Sequence, residues 1–170
     1  ITIAFCIFQM VVLAETIDIG SPAINRANEG SADRTYIQKT NPANASGKIT
    51  SVEIWAASSY TNCQVATFYV VSGNTLSTRD TEYIGTVTSG AKRTFSVDLD
   101  VEEGDYIGIY GDGEIERSDY SDESYWWKAG DFIPCTNQVF SLLGSREISL
   151  YGTGTTGGEE DNAIFFGTNL

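Results

Sequence analysis

Four aromatic residues, Tyr120, Tyr125, Trp126 and Trp127, lie at or just beyond the end of a run holding eleven carboxylates between Asp98 and Glu123. An aromatic ring beside carboxylates suits sugar recognition. The ring face takes the C–H face of a pyranose, and the acids take its hydroxyls. On a strand, side chains alternate between faces. Ser124, Trp126 and Lys128 then share one face, and Tyr125 and Trp127 the other. Two polar neighbours place Trp126 on the solvent side and Trp127 in the core. Trp55, outward on its own strand, is a second platform. The competing reading makes these rings core or subunit contacts.

The carboxylates suggest two further chemistries. So many acids in a short span repel one another unless they are solvated or neutralised. Calcium would relieve this through hard oxygen ligands, and Asp119, Asp122 and Glu123 form the best local group for it. The spacing is not that of an EF-hand, and a solvated acidic face is the alternative. Glu114 and Glu116 share a strand face, and a glycosidase needs two carboxyls about 5–10 Å apart. Any acidic β protein offers such a pair, so catalysis is not expected. The sequence has no histidine, which removes Ser-His-Asp and Cys-His nucleophile systems and imidazole-based zinc sites.

Positioning these groups falls to short β-prone runs between turn residues. Strands are expected near 16–19, 34–39, 48–57, 63–71, 81–88, 93–99, 105–110, 114–117, 124–128, 138–143 and 147–151. In the third, Val52 and Ile54 face one side, and Ser51, Glu53 and Trp55 the other. Residues 63–71 are apolar on both faces and read as a central strand. The runs at 81–88 and 93–99 look like a hairpin around Ser89-Gly90, with Phe95, Val97 and Leu99 inward. No window has sustained helical spacing. The expected fold is all-β: an antiparallel β-sandwich, jelly-roll-like. The β-domain spans 15–152. Residues 153–170 read as a Gly/Thr-rich linker with a short C-terminal strand.

Residues 1–14 are apolar and uncharged. They fit the hydrophobic region of a secretory signal cleaved before Glu15, or an extra N-terminal strand; they are short for a membrane span. Loss of this segment leaves Cys63 and Cys135, which an oxidising compartment would join as one disulfide worth about 3–5 kcal/mol. Two buried thiols are the alternative. With 170 residues and a formal net charge of −13, the chain suits one domain that repels nucleic acid. Asn44-Ala45-Ser46 is a glycosylation sequon and marks 41–47 as an exposed loop.

Four stretches, IDIGSPAINR (17–26), NPANASGKITSVEIWA (41–56), VEEGDYIGIYGDGEIE (101–116) and ISLYGTG (148–154), go together. The set resembles a recurrent, largely uncharacterised β-sandwich module of bacteriophage and environmental bacterial proteins. The resemblance covers about 15–154 and implies a virion or cell-surface setting; it carries no catalytic residues. More distantly, GDYIGIY is similar to strands of jelly-roll lectin and carbohydrate-binding modules. Two functions are therefore expected: an extracellular, non-enzymatic module that binds a glycan or other cell-surface ligand, or a structural subunit of a filament, capsid or surface layer assembled through strand exchange and edge contacts.

Overall fold

Alternation with a period of two runs through nearly every segment of the chain, and the strands follow it. The structure is a computed structural model that describes residues 14–120 and 122–157. The N-terminal segment, Cys6 and most of the tail lie outside these residues. Among the described residues all strand ladders are antiparallel, in two seven-stranded sheets. Sheet 1 holds β1 (Thr16–Gly20), β14 (Leu150–Thr155), β4 (Gly47–Ser58) and β7 (Lys92–Val101) in that spatial order. Its far end adds β9 (Glu114–Ser118), which pairs with β4, with β2 (Asn28–Glu29) and with β13 (Glu147–Ile148). Sheet 2 runs β11 (Gln138–Val139), β6 (Thr75–Val87), β5 (Tyr60–Ser72), β8 (Tyr106–Tyr110), β3 (Arg34–Gln38), β10 (Ser124–Ala129) and β12 (Ser141–Gly144). Among the described residues, no helix is long and apolar enough to cross a membrane.

Eight principal strands carry the topology. β1 and the last strand, β14, lie side by side, followed by β4 and β7; facing them are β3, β8, β5 and β6. The first and last described strands are paired, and the chain crosses between sheets at every step of these eight except the β5–β6 hairpin, which is the double Greek-key order of a jelly roll. The sandwich interior holds Ile17, Ile19, Ile49, Val52, Ile54, Val65, Leu99, Ile107, Ile109 and Leu150, each at most 1% exposed. Burying such side chains contributes about 1.5–3 kcal/mol each.

The Ser89-Gly90 turn does not close a hairpin. β6 belongs to sheet 2 and β7 to sheet 1, so the chain crosses the sandwich there. The hairpin lies one turn earlier, where β5 and β6 pair around Gly73, whose φ of 55° suits glycine. The Gly/Thr run is likewise no linker as far as Thr155. β14 sits between β1 and β4, and its glycines are contact residues. A Cβ on Gly154 would lie 1.8 Å from the Lys48 carbonyl oxygen, and one on Gly152 would lie 2.8 Å from Ile19 Cγ2.

Sheet 2 has a second inner face. β11 and β12 are separated in the chain by Phe140 alone, yet they sit at opposite ends of the strand order. The sheet therefore curls until its edges meet through one short piece of chain. Inside the curl is a second core of Ile37, Ala66, Phe68, Leu76, Trp126, Ile133 and Phe140. From Val65 to Phe68 both faces of β5 are buried for this reason, one in each core.

Candidate functional site

β10 obeys the expected alternation with the opposite consequence. Tyr125 is buried in the sandwich, with its ring edge-to-face against Tyr36 at 5.3 Å. Trp127 packs half-buried against the same core, under the Arg34 guanidinium at 4.5 Å. Trp126 points into the curl of sheet 2 and is 2% exposed. Its ring meets Tyr106 edge-to-face at 5.0 Å, and its Nε1–H donates to Asn74 Oδ1 at 2.8 Å. The solvent-facing assignment of Trp126 is thus corrected. Its polar neighbour Lys128 extends to the rim, where Nζ donates to the Val139 carbonyl at 3.0 Å and lies over Phe132. A long amphipathic side chain can flank a core in this way. Tyr120 is 97% exposed. The four aromatic candidates, with Trp55, do not converge on one surface.

The acidic group does not converge either. Among the described residues, no three His, Cys, Asp or Glu side chains are placed to hold a metal ion. Asp119 lies between two guanidiniums, pairing with Arg117 at 2.8 Å and with Arg146. Other acids of the run are engaged one by one. Lys48 bridges Asp98 and Asp100 at 2.8 Å each, and these bonds, Asp100's first, raise its ammonium pKa above the ordinary lysine value. Buried Asp105 pairs with Arg79 and accepts the Glu102 N–H at 2.8 Å. Asp112 accepts the Thr61 hydroxyl and the N–H groups of Thr61 and Asn62, which hold its carboxyl below the usual range.

Cys63 and Cys135 form no disulfide; both are free thiols. Cys63 lies in the sandwich core, and burial pushes its thiol far above the ordinary value. Cys135 packs against the second core, on the other face of sheet 2, with its Sγ against the Leu76 carbonyl oxygen at 3.9 Å. The expected bridge is corrected because a sheet separates the two residues. The sequon asparagine is also committed. Asn44 Oδ1 accepts the Asp18 N–H at 2.9 Å, and Asn44 Nδ2 donates to the Thr16 carbonyl at 3.1 Å.

The outer face of sheet 1 brings polar and aromatic groups together. Ile54 and Ala56 point into the core, so Ser51, Glu53 and Trp55 point out, as the alternation of β4 implies. Tyr151 stands opposite Glu53 on β14, and Thr153 opposite Ser51. On the other side, Lys92 stands opposite Trp55, Thr94 opposite Glu53 and Ser96 opposite Ser51. Trp55 and Tyr151 are both half-buried and diagonal to one another, about 7–8 Å apart by strand geometry. Lys92 Nζ pairs with Glu53 Oε1 at 2.8 Å. Tyr151 Oη lies 3.5 Å from Asp18 Oδ2, and burial followed by Asp18 raises its phenol pKa. One end of the face is bounded by a fold of chain. Ser149 Oγ donates to the Ile24 carbonyl at 2.6 Å and accepts from Arg26 Nε at 2.8 Å. The Arg26 side chain is 4% exposed and also pairs with Glu147. Of these groups the sequence had singled out Trp55; Tyr151 and Lys92 carried a signal only in the alternation of their strands.

Fold and surface together define an antiparallel jelly-roll domain with one curled, twice-buried sheet and one sheet bearing a polar, aromatic outer face. No protein-family model matches this chain, and no curated protein matches it in sequence.

Proposed function

We propose that the chain is a non-enzymatic extracellular or virion-surface module that binds a neutral glycan on the outer face of sheet 1. The observation that carries this reading is the placement of Trp55 and Tyr151. Two half-buried rings lie diagonally on an open sheet face, with the Glu53–Lys92 pair and the hydroxyls of Ser51, Thr94 and Thr153 between and around them. Half-burial fixes a ring's orientation while leaving a face for stacking on a sugar. The hydroxyls and the ion pair offer donors and acceptors to ring hydroxyls without needing charge from the ligand. A net charge of −13 also disfavours anionic polysaccharides.

The test is a glycan array probed with the labelled chain and with Trp55→Ala and Tyr151→Ala. Neutral-glycan signals should fall at least about tenfold in Trp55→Ala, the loss of one stacking contact plus its polar neighbours' alignment. Circular dichroism should stay unchanged. No signal from the parent chain on any neutral glycan, or equal signals from parent and Trp55→Ala, overturns the reading.

A further inference from the structure

Two outer strands of sheet 1, β1 and β7, are finished differently. On β1, the Thr16 carbonyl, the Asp18 N–H and both backbone groups of Gly20 have local partners. Asn44 takes the Asp18 N–H and the Thr16 carbonyl. The Asn41 carbonyl accepts the Gly20 N–H at 2.9 Å, and Asn41 Nδ2 donates to the Gly20 carbonyl at 3.0 Å. Side chains and a loop stand where another strand would pair, which is one way of blunting an edge.

β7 has ten residues and pairs with β4 along one side. On its other side, Asp80 accepts the Asp100 N–H at 2.8 Å, and the Thr67 hydroxyl donates to the Asp100 carbonyl at 2.7 Å. From Lys92 to Asp98, no strand or side chain pairs with the backbone of that far side among the described residues. Phe95 and Val97 point inward there yet remain half-exposed. Tyr83, on the neighbouring β6, is 63% exposed. Among the described residues, an unpaired ladder edge and an apolar rim thus lie along the same side of the sandwich.

The charges on this edge are arranged end to end. Lys92 and Arg93 stand at one end, and Asp98 and Asp100 at the other. A second copy laid antiparallel, with a two-fold axis through Ser96, pairs 94–98 of one copy with 98–94 of the other, sets Thr94 opposite Asp98 and brings each Lys92 side chain toward the other copy's acidic end. The ladder stops there, because Asp80 and Thr67 occupy the outward side of Asp100. Opposite charges across a ladder are favourable and like charges unfavourable, so a parallel approach in the same register is opposed. Lys48 already sits between Asp98 and Asp100; the partner's Lys92 would extend an alternating row of charge.

We propose that β7 is the docking edge for a second copy of this chain, forming a two-fold dimer in which the two copies of sheet 1 become one continuous antiparallel sheet. The contact is isologous, so the same patch serves both copies. This inference does not depend on glycan binding.

The experiment is sedimentation velocity on the full chain across a concentration series, with Ser96→Lys and Ser96→Glu. Ser96 is exposed and lies on the axis, so either variant sets two like charges face to face while leaving the monomer's packing intact. The parent should dimerise. Each variant alone should dissociate about five- to tenfold more readily, and an equal mixture of the two should recover association through a Lys–Glu pair. A parent that stays monomeric at every concentration overturns the proposal, as does a dimer that both variants and their mixture leave unchanged.

Discussion

Truncating Trp126 tests the second core directly. The ring is 2% exposed, packs against Tyr106 and spends its single donor on Asn74. Trp→Ala in a packed core removes the transfer free energy of the ring and leaves a cavity, about 3–5 kcal/mol together. Asn74 is exposed, so its orphaned carbonyl regains water and adds little. With a urea m-value of about 2 kcal/mol per M, the midpoint should fall by about 1.5–2.5 M. Trp126→Phe keeps the edge contact and loses the hydrogen bond, for about 1–2 kcal/mol. Asn74→Ala should cost about 0.5–1.5 kcal/mol in the parent and almost nothing in the Trp126→Phe background, because the two changes remove the same bond. The assay is urea unfolding followed by far-UV circular dichroism. A Trp126→Ala midpoint within about 0.2 M of the parent would mean that the ring is not in a core, and the curled sheet with its second interior would be refuted.

Two further outcomes follow from the thiols and from Asp112. Alkylation without reductant, read by mass spectrometry, should leave Cys63 unlabelled in the native chain, label Cys135 slowly and label both in denaturant; failure of both to label in denaturant would restore the bridge. Asp112 has a carboxyl pKa lowered by its Thr61 and Asn62 bonds, so its stabilisation is present above the ordinary carboxylate value and fades as pH falls through the lower folded value. The melting-temperature gap between the parent and Asp112→Ala should therefore narrow as pH falls below about 4, the ordinary carboxylate value; a constant gap would show that the charge contributes nothing.

Much of the strand pattern was legible because a sheet residue's face is fixed by parity alone. The alternation along β4 and β7 gave the inward set Val52, Ile54, Phe95, Val97 and Leu99. Parity says which residues share a face; it does not say which face meets water. In β10 the polar neighbours of Trp126 pointed to solvent, but the chain at 130–140 covers that face. Turn chemistry had the same limit at Ser89-Gly90, since a tight turn serves a hairpin and a crossing between sheets equally well. Gly154 read as linker because composition does not register a backbone approach that excludes a Cβ. Trp55 was legible as outward. Its partners Tyr151 and Lys92 were not, because they come from strands far apart in the chain and only register brings them together.

The position of β14 sets a schedule for making the protein. β1 leaves the ribosome well before its ladder partner, which lies 141 residues later by the Glu15–Thr156 contact. At about 5–20 residues per second, β1 waits about 7–28 s for that partner. Until then sheet 1 lacks its central strand, and the inner faces of β1 and β4 have no complete sheet to share. Ile17, Ile19, Ile49 and Val52 are then exposed together. The nascent chain therefore depends on whatever shields apolar strands during synthesis, and the jelly roll closes in one late step when residues 150–155 arrive. Arrested chains that stop short of Leu150 should be protease-sensitive throughout sheet 1, and those that expose Thr155 should not.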